Sequence, residues 1–162
     1  MDPDEKSRLD WIEQAAVENM KAQHVSADNL AKDSATTLTV FLAAMAGSMT
    51  YAATAMQQHQ WTWFSIAAGA FCAWFFVLSS LLVCKCLMIR AIPPVYNEPK
   101  NLSQPGFDLL ILKEEELLGF QRRIDASVKR NGSVAGWLNR LRLGAVASPL
   151  IFVVAALASI LI

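Results

Sequence analysis

Few side chains in this 162-residue chain have the types and spacing that catalysis or metal binding requires. Cys84 and Cys86 flank Lys85, and two thiolates so close together could hold a soft metal ion. Neither Cys72 nor a well-placed histidine completes a set of four ligands. His24 and His59 stand alone in the sequence, so we expect them to be loop or surface residues. The sequence therefore predicts no metal centre and no cofactor.

The motifs of common enzymes are also missing from the sequence. It contains no glycine-rich phosphate loop, no His-Glu pair at metal-binding spacing and no nucleophile elbow. The acidic run 114–116 could attract a cation, but a charge run on a helix is usually solvated, and nearby bases can pair with it. With 14 basic and 14 acidic residues, the chain has no basic footprint for nucleic acid. We interpret it as a protein that is not an enzyme and binds no nucleic acid.

Three apolar runs dominate the rest of the sequence. Residues 35–56 and 61–84 carry no charged side chain and are joined by four polar residues, and a third run covers 143–162. About 20 apolar residues suffice for a helix to cross roughly 30 Å of hydrocarbon. The runs lack the alternating pattern of a membrane barrel. We therefore expect them to form helices, in which the backbone N–H and C=O groups bond to each other. The predicted fold class is an all-α integral membrane protein with three transmembrane helices and two cytosolic amphipathic helices.

The polar parts of the sequence contain the two amphipathic helices. Leu9, Ile12, Ala16 and Met20 form one apolar stripe, and a second helix is predicted from 107 to about 131. We expect these helices to pack together, with a helix break at 24–26 and an end or kink at 131–133. The resulting segments are an N-terminal cytosolic helical segment (1–34), a transmembrane hairpin (35–90), a cytosolic linker and helix (91–142), and a third transmembrane helix (143–162).

The distribution of lysine and arginine predicts the orientation. All 14 basic residues lie before Ala35 or between Lys85 and Arg142. The positive-inside rule places those regions in the cytosol of a bacterium, so the N-terminus is cytosolic and the C-terminus lies at the periplasmic side of the inner membrane. Residues expected to anchor the helices at the two interfaces are Trp61, Trp63, Trp137, Lys85, Arg90, Arg140 and Arg142.

Small residues recur along the apolar runs. Small side chains let membrane helices approach closely, so these positions predict helix packing and a homo-oligomer within the lipid bilayer. They are Ala44, Gly47, Ser48, Ala52, Ser65, Gly69, Ala73, Gly144 and Ser148. Bulky residues at 71 and 74–76 are expected to face lipid. Pro149 is expected to kink the third helix.

The function of such a protein is constrained by what its apolar runs lack. No ionisable residue lies within them away from their ends, which weakens a transporter hypothesis. Serine and threonine hydroxyls could line a pore. Three helices cannot enclose a channel alone, so a pore would require an oligomer.

The order of the parts resembles that of the transmembrane effectors of bacterial cyclic-pyrimidine (Pycsar) anti-phage systems. The comparable features are residues 29–35 leading into Leu38, the exit at Pro93 and Pro94, and residues 137–140 entering the last helix. The layout is also similar to small three-span prophage membrane proteins, including holins, although holins have the opposite N-terminal orientation. The resemblance implies an effector whose trigger is a cytosolic protein or a small nucleotide.

Two classes of function follow from the sequence. The leading hypothesis is a non-enzymatic effector of phage or anti-phage origin that oligomerises and perturbs the membrane or forms a pore. The alternative is a membrane anchor or scaffold whose cytosolic helices bind a protein partner, with a holin-like phage protein as a third choice.

Overall fold

A computed structural model describes residues 3–59, 62–88, 92–102 and 104–160. Its elements, in chain order, are α1 (Pro3–Gln57), α2 (Trp63–Leu82), a π-helical turn (Val83–Leu87), α3 (Pro99–Leu102), α4 (Leu109–Val146) and α5 (Ser148–Ile160). The described residues contain no strand, which confirms the all-helical class.

Both predicted interruptions of the long helices are wrong. α1 continues through residues 24–26, and α4 continues through 131–133. Asn131 had indicated a helix end, because its amide can satisfy local backbone groups. Instead it is buried, and its Nδ2 donates to the backbone oxygen of Gln23 at 2.9 Å. A contact with another helix therefore replaces the local cap that the sequence suggested.

The chain divides into two compact units. The polar unit comprises the described residues of Met1–Asn29 and Ile89–Ser133, and the apolar unit those of Leu30–Met88 and Val134–Ile162.

In the polar unit, α1 packs along α4, as predicted for the two amphipathic helices. Contacting pairs advance together along both helices, from Asp10 with Lys113 to Met20 with Ser127, so the helices run parallel. Met20 is fully buried, with its sulfur 4.0 Å from the Ser127 hydroxyl. Ile12, which was predicted to lie on the packed stripe, is exposed.

The apolar unit is centred on α2, which packs against α5. Its buried core contains Phe41, Phe75, Leu78, Leu82, Leu138 and Leu141. α1 and the segment Trp63–Leu87 are each long and apolar enough to cross a membrane, and α4 with α5 would make a third span if the bent pair is one. The bend between them is 42°. It adjoins Pro149, whose missing N–H leaves a gap in the helical hydrogen bonds, so the predicted kink is confirmed.

Two of the aromatic residues expected to face lipid are packed inside instead. Phe75 is buried edge-to-face against Phe41, with 5.5 Å between ring centroids. Trp74 donates its Nε1 hydrogen to the backbone oxygen of Gly144 at 3.2 Å. Phe76 is exposed, as expected. The size of the aromatic side chains alone did not show which of them lie on the side of α2 that faces α5 and which lie on the outward side.

Candidate functional site

A recess of 320 Å³ opens within the apolar unit where α1, α2 and α5 come together. Its lining residues are Ala44, Gly47, Ser48, Tyr51, Phe64, Ala68, Phe71 and Phe152. Tyr51, Phe64 and Phe152 form an edge-to-face chain of rings across it, with centroid separations of 4.8 and 5.2 Å. The small α1 residues therefore lie opposite an aromatic wall and leave open space along the helix.

A second recess of 360 Å³ shares Gly47 and Tyr51 with the first and continues along α1. Thr50 and Thr54 line it, and each hydroxyl donates to the backbone oxygen four residues earlier at 2.9 Å. Such back-bonding satisfies a hydroxyl without a partner from another helix. The threonine oxygens can still accept a hydrogen bond from water or a polar ligand.

The structure places the predicted packing glycines in different surroundings. A Cβ atom added at Gly47 or Gly69 would meet nothing within 4 Å. One added at Gly144 would lie 3.2 Å from Leu78 Cδ2 and 3.7 Å from Trp74. Gly144 is therefore at a close contact within the chain, whereas Gly47 and Gly69 have room for a neighbour.

The other predicted packing positions are spread over the apolar unit. Ala44, Ser48 and Ala52 are half-buried on α1, Ala73 is exposed, and Ser148 is buried at the start of α5. Ser65 is buried at the start of α2, where it forms a capping box with Thr62. The Thr62 N–H donates to Ser65 Oγ at 3.0 Å, and Ser65 N–H donates to Thr62 Oγ1 at 3.3 Å. Its role there is to begin the helix.

Most of the predicted cationic anchors converge at one end of the apolar unit. The charges of Lys85 and Arg140 lie 5.5 and 5.6 Å from the centroid of the Trp137 ring. Arg142 donates to the hydroxyl of Thr37 at 3.1 Å and lies 3.6 Å from a carboxylate oxygen of Asp33.

The remaining anchors were predicted at the ends of α2. Trp63 is half exposed and packs edge-to-face on Phe64, with 5.6 Å between centroids. Trp61 and Arg90 lie outside the described residues.

Comparison with known proteins assigns this chain to no family. No protein-family model, curated protein or solved structure matches it. In the part of the chain that the structure describes, no three His, Cys, Asp or Glu side chains converge as metal ligands, and no disulfide links Cys72, Cys84 or Cys86.

The polar unit has a recess of its own, with a volume of 210 Å³. Its apolar wall includes Leu109, Leu112, Leu117 and Phe120. On its polar side Glu116 accepts hydrogen bonds from Asn97 at 3.0 Å and from Arg123 at 2.6 Å. The Arg123 guanidinium also lies 4.4 Å from the Phe120 ring centroid. Sequence spacing suggested that Arg123 could pair with the acidic run, but not that Asn97 would join it from the linker.

Lys113 borders the same recess and lies between two carboxylates of α1. It contacts Asp10 and lies 2.9 Å from a carboxylate oxygen of Glu13. Its hydrogen bond holds the pKa of Asp10 below the ordinary value of 3.8, and the two acids raise the pKa of Lys113 above 10.5. The Asp10 contribution to stability is present at neutral pH and is lost as pH falls through its lowered pKa. The Lys113 contribution is lost as pH rises through its raised pKa, so both act at neutral pH.

Replacing Lys113 with methionine should return the pKa of Asp10 toward 3.8, because the hydrogen bond that lowers it is removed. Carboxyl carbon NMR of the protein in detergent would follow the Asp10 titration. Lys129→Met, which removes an exposed charge from the same helix, should leave the Asp10 pKa unchanged. An Asp10 pKa unaffected by Lys113→Met would contradict the contact.

Proposed function

We propose that this protein crosses the bacterial inner membrane three times, self-associates through α1 and perturbs the membrane as an oligomer. One observation carries the proposal. Only 6% of the apolar stretch of α1 is buried inside the chain, compared with 33% of that of Trp63–Leu87. Lipid supplies no hydrophobic drive for helix contact, and exposed small residues favour close packing between membrane helices. The open surface at Gly47 is suited to a helix from a second copy.

The internal arrangement of the apolar unit supports three spans. Arg142 lies beside Thr37 at one end, and Phe152 and Tyr51 meet the same Phe64 ring at the other. α1 and the α4–α5 pair therefore run in one direction, and α2 runs back. The cluster of Lys85, Arg140 and Arg142 then lies at the end that the positive-inside rule assigns to the cytosol.

An effector function accounts for the remaining features. The recess containing Thr50 and Thr54 would face a neighbouring copy, where satisfied hydroxyls can line a polar path without an ionised group. A phage or anti-phage origin is part of this proposal and rests on the resemblance in layout to Pycsar-type effectors. The polar unit would receive the trigger, a cytosolic protein or a small nucleotide.

Gly47→Leu tests this assembly. A Cβ at this position meets nothing within the chain, so the variant should fold while its side chain fills the space for a neighbour. Loss of a helix contact worth about 1–2 kcal/mol should lower self-association and dye release from phosphatidylglycerol-containing vesicles about tenfold. Mass photometry in detergent would measure the oligomer.

Ala53→Leu is the matched control, because it adds bulk to an exposed position of α1 outside both recesses. It should assemble and release dye like the unaltered protein. Equal losses in both variants would contradict a contact at Gly47, and an unaltered protein that stays monomeric would refute the proposal.

The anchor or scaffold alternative has one observation in its favour, the recess of the polar unit with its apolar wall and ion-paired polar side. Arg123 is a poor probe of partner binding there, because it holds Glu116 and packs on Phe120. Arg122 is exposed and serves better. If Arg122→Glu abolishes the effect of the protein on the membrane of cells that produce it, while dye release from vesicles is unchanged, the scaffold function is favoured. Loss of the effect with Gly47→Leu alone favours the effector.

A further inference from the structure

Two cations at one end of the apolar unit share a single aromatic ring. Lys85 extends from the π-helical turn and Arg140 from α4, and the indole of Trp137 lies within 5.6 Å of both charges. The face of an indole attracts a cation, but it does not cancel the repulsion between two of them. The ring therefore brings two like charges to the same part of the apolar unit without cancelling either of them.

No acid side chain in the described part of the chain neutralises this pair. Among the described residues, neither Lys85 nor Arg140 has a carboxylate oxygen within 4.0 Å. Both side chains are exposed, and Trp137 is half-buried. Arg142, two residues further along α4, differs from them. It is paired with the Asp33 carboxylate and donates a hydrogen bond to the Thr37 hydroxyl.

The π-helical turn is what brings Lys85 to this position. The Met88 N–H donates to the Val83 oxygen at 2.9 Å, a bond that spans five residues and widens the helix there. The Cys86 thiol contacts the Val134 oxygen of α4 at 3.8 Å. The turn that carries Lys85 thus contacts α4, the helix that carries Trp137 and Arg140.

We propose that Lys85, Arg140 and Trp137 form a binding site for a phosphate anion, supplied by the headgroup of an anionic phospholipid. The inference rests on the membrane insertion proposed above and goes beyond it by naming a ligand. Paired cations at the cytoplasmic boundary suit an anionic headgroup, and tryptophan is favoured at that depth. Arg140 can donate two parallel hydrogen bonds to a phosphate, while Lys85 supplies a mobile charge.

Thermal unfolding of the full chain in a neutral detergent tests the site. Added phosphatidylglycerol should raise the Tm about 5 °C more than phosphatidylcholine does, because a ligand bound only by the folded protein stabilises it. In the double variant Lys85→Gln/Arg140→Gln, at least half of this difference should be lost.

Two control variants separate the site from net charge. Arg122→Gln/Lys129→Gln removes the same charge from exposed positions of the polar unit and should keep the full difference between lipids. Arg142→Gln should lower the Tm equally in both lipids, because it removes contacts with Asp33 and Thr37. Equal losses in the two double variants would overturn the proposal.

Inorganic phosphate at the same concentration distinguishes the source of the anion. Stabilisation by phosphatidylglycerol but not by phosphate supports a lipid site, and equal stabilisation by both overturns the lipid assignment. If the two lipids raise the Tm equally and the protein still releases dye from vesicles, the phosphate site is overturned and the proposed function is not. A protein that preferred phosphatidylglycerol but did not self-associate would refute the proposed function and leave the site standing.

Discussion

Phe120→Ala is expected to lower the free energy of unfolding of the polar unit by about 3–5 kcal/mol. The Phe120 ring is only 2% exposed, so its removal leaves a cavity that α1 and α4 cannot readily fill. The ring also lies beneath the Arg123 guanidinium, which would lose its packing surface. The variant should therefore loosen the ion pair with Glu116 and open the recess of the polar unit.

Hydrogen exchange of the full chain in detergent would measure this effect. Amides of α4 around Phe120 should exchange at least a hundredfold faster, since each 1.4 kcal/mol is a factor of ten. Leu118→Ala removes a large apolar side chain from the same helix, but Leu118 is 53% exposed, and its loss should change stability by only about 0.5 kcal/mol. Similar exchange in both variants would show that Phe120 is not a core residue.

Gly144→Leu should destabilise the apolar unit by about 2 kcal/mol. A Cβ atom already meets Leu78 at 3.2 Å, and the further atoms of leucine would separate α4 from α2. The hydrogen bond from Trp74 to the Gly144 oxygen would also be lost, at a cost of about 1 kcal/mol. The better helix propensity of leucine offsets only part of this loss.

The melting temperature in detergent, together with the tryptophan fluorescence, would report the change. Gly132→Ala is the control, because its Cβ meets nothing within 4 Å in the interior of the same helix. It should raise stability by up to about 1 kcal/mol, as replacing a helical glycine does. A Gly144→Leu protein as stable as Gly132→Ala would disprove the close helix contact.

The sequence predicted the helical class because long uncharged runs can satisfy their backbone groups in lipid in few ways. It did not predict the continuity of α1 and α4. Ser26 and Asn131 carry local signals for helix ends, but the cost of interrupting a helix is set by what it packs against. The buried amide of Asn131, which bonds the backbone of Gln23, is visible only when both helices are present.

The sequence predicted which residue types form the candidate site, but not which helix or side chain each of them contacts. Small residues mark surfaces that permit close approach, yet nothing in their spacing says which helix approaches. Gly144 turned out to lie against Trp74 and Leu78, while Gly47 and Gly69 have open space. Lys85, Arg140 and Arg142 likewise look equivalent in sequence. Only the structure separates the arginine held by Asp33 from the two cations at Trp137.

In the three-span arrangement proposed above, the bend before α5 has a consequence for the thickness of the bilayer. The segment Trp63–Leu87 has 25 residues and a helical rise of roughly 37 Å, whereas α5 has 13 residues and rises roughly 20 Å. The hydrocarbon layer is about 30 Å deep, so Trp63–Leu87 exceeds it, whereas α5 is shorter and would cross it only together with the last residues of α4 beyond the 42° bend. Lipids meet such mismatch by thinning beside the short element and thickening beside the long one. An oligomer of the kind proposed above would therefore vary the membrane thickness along its edge.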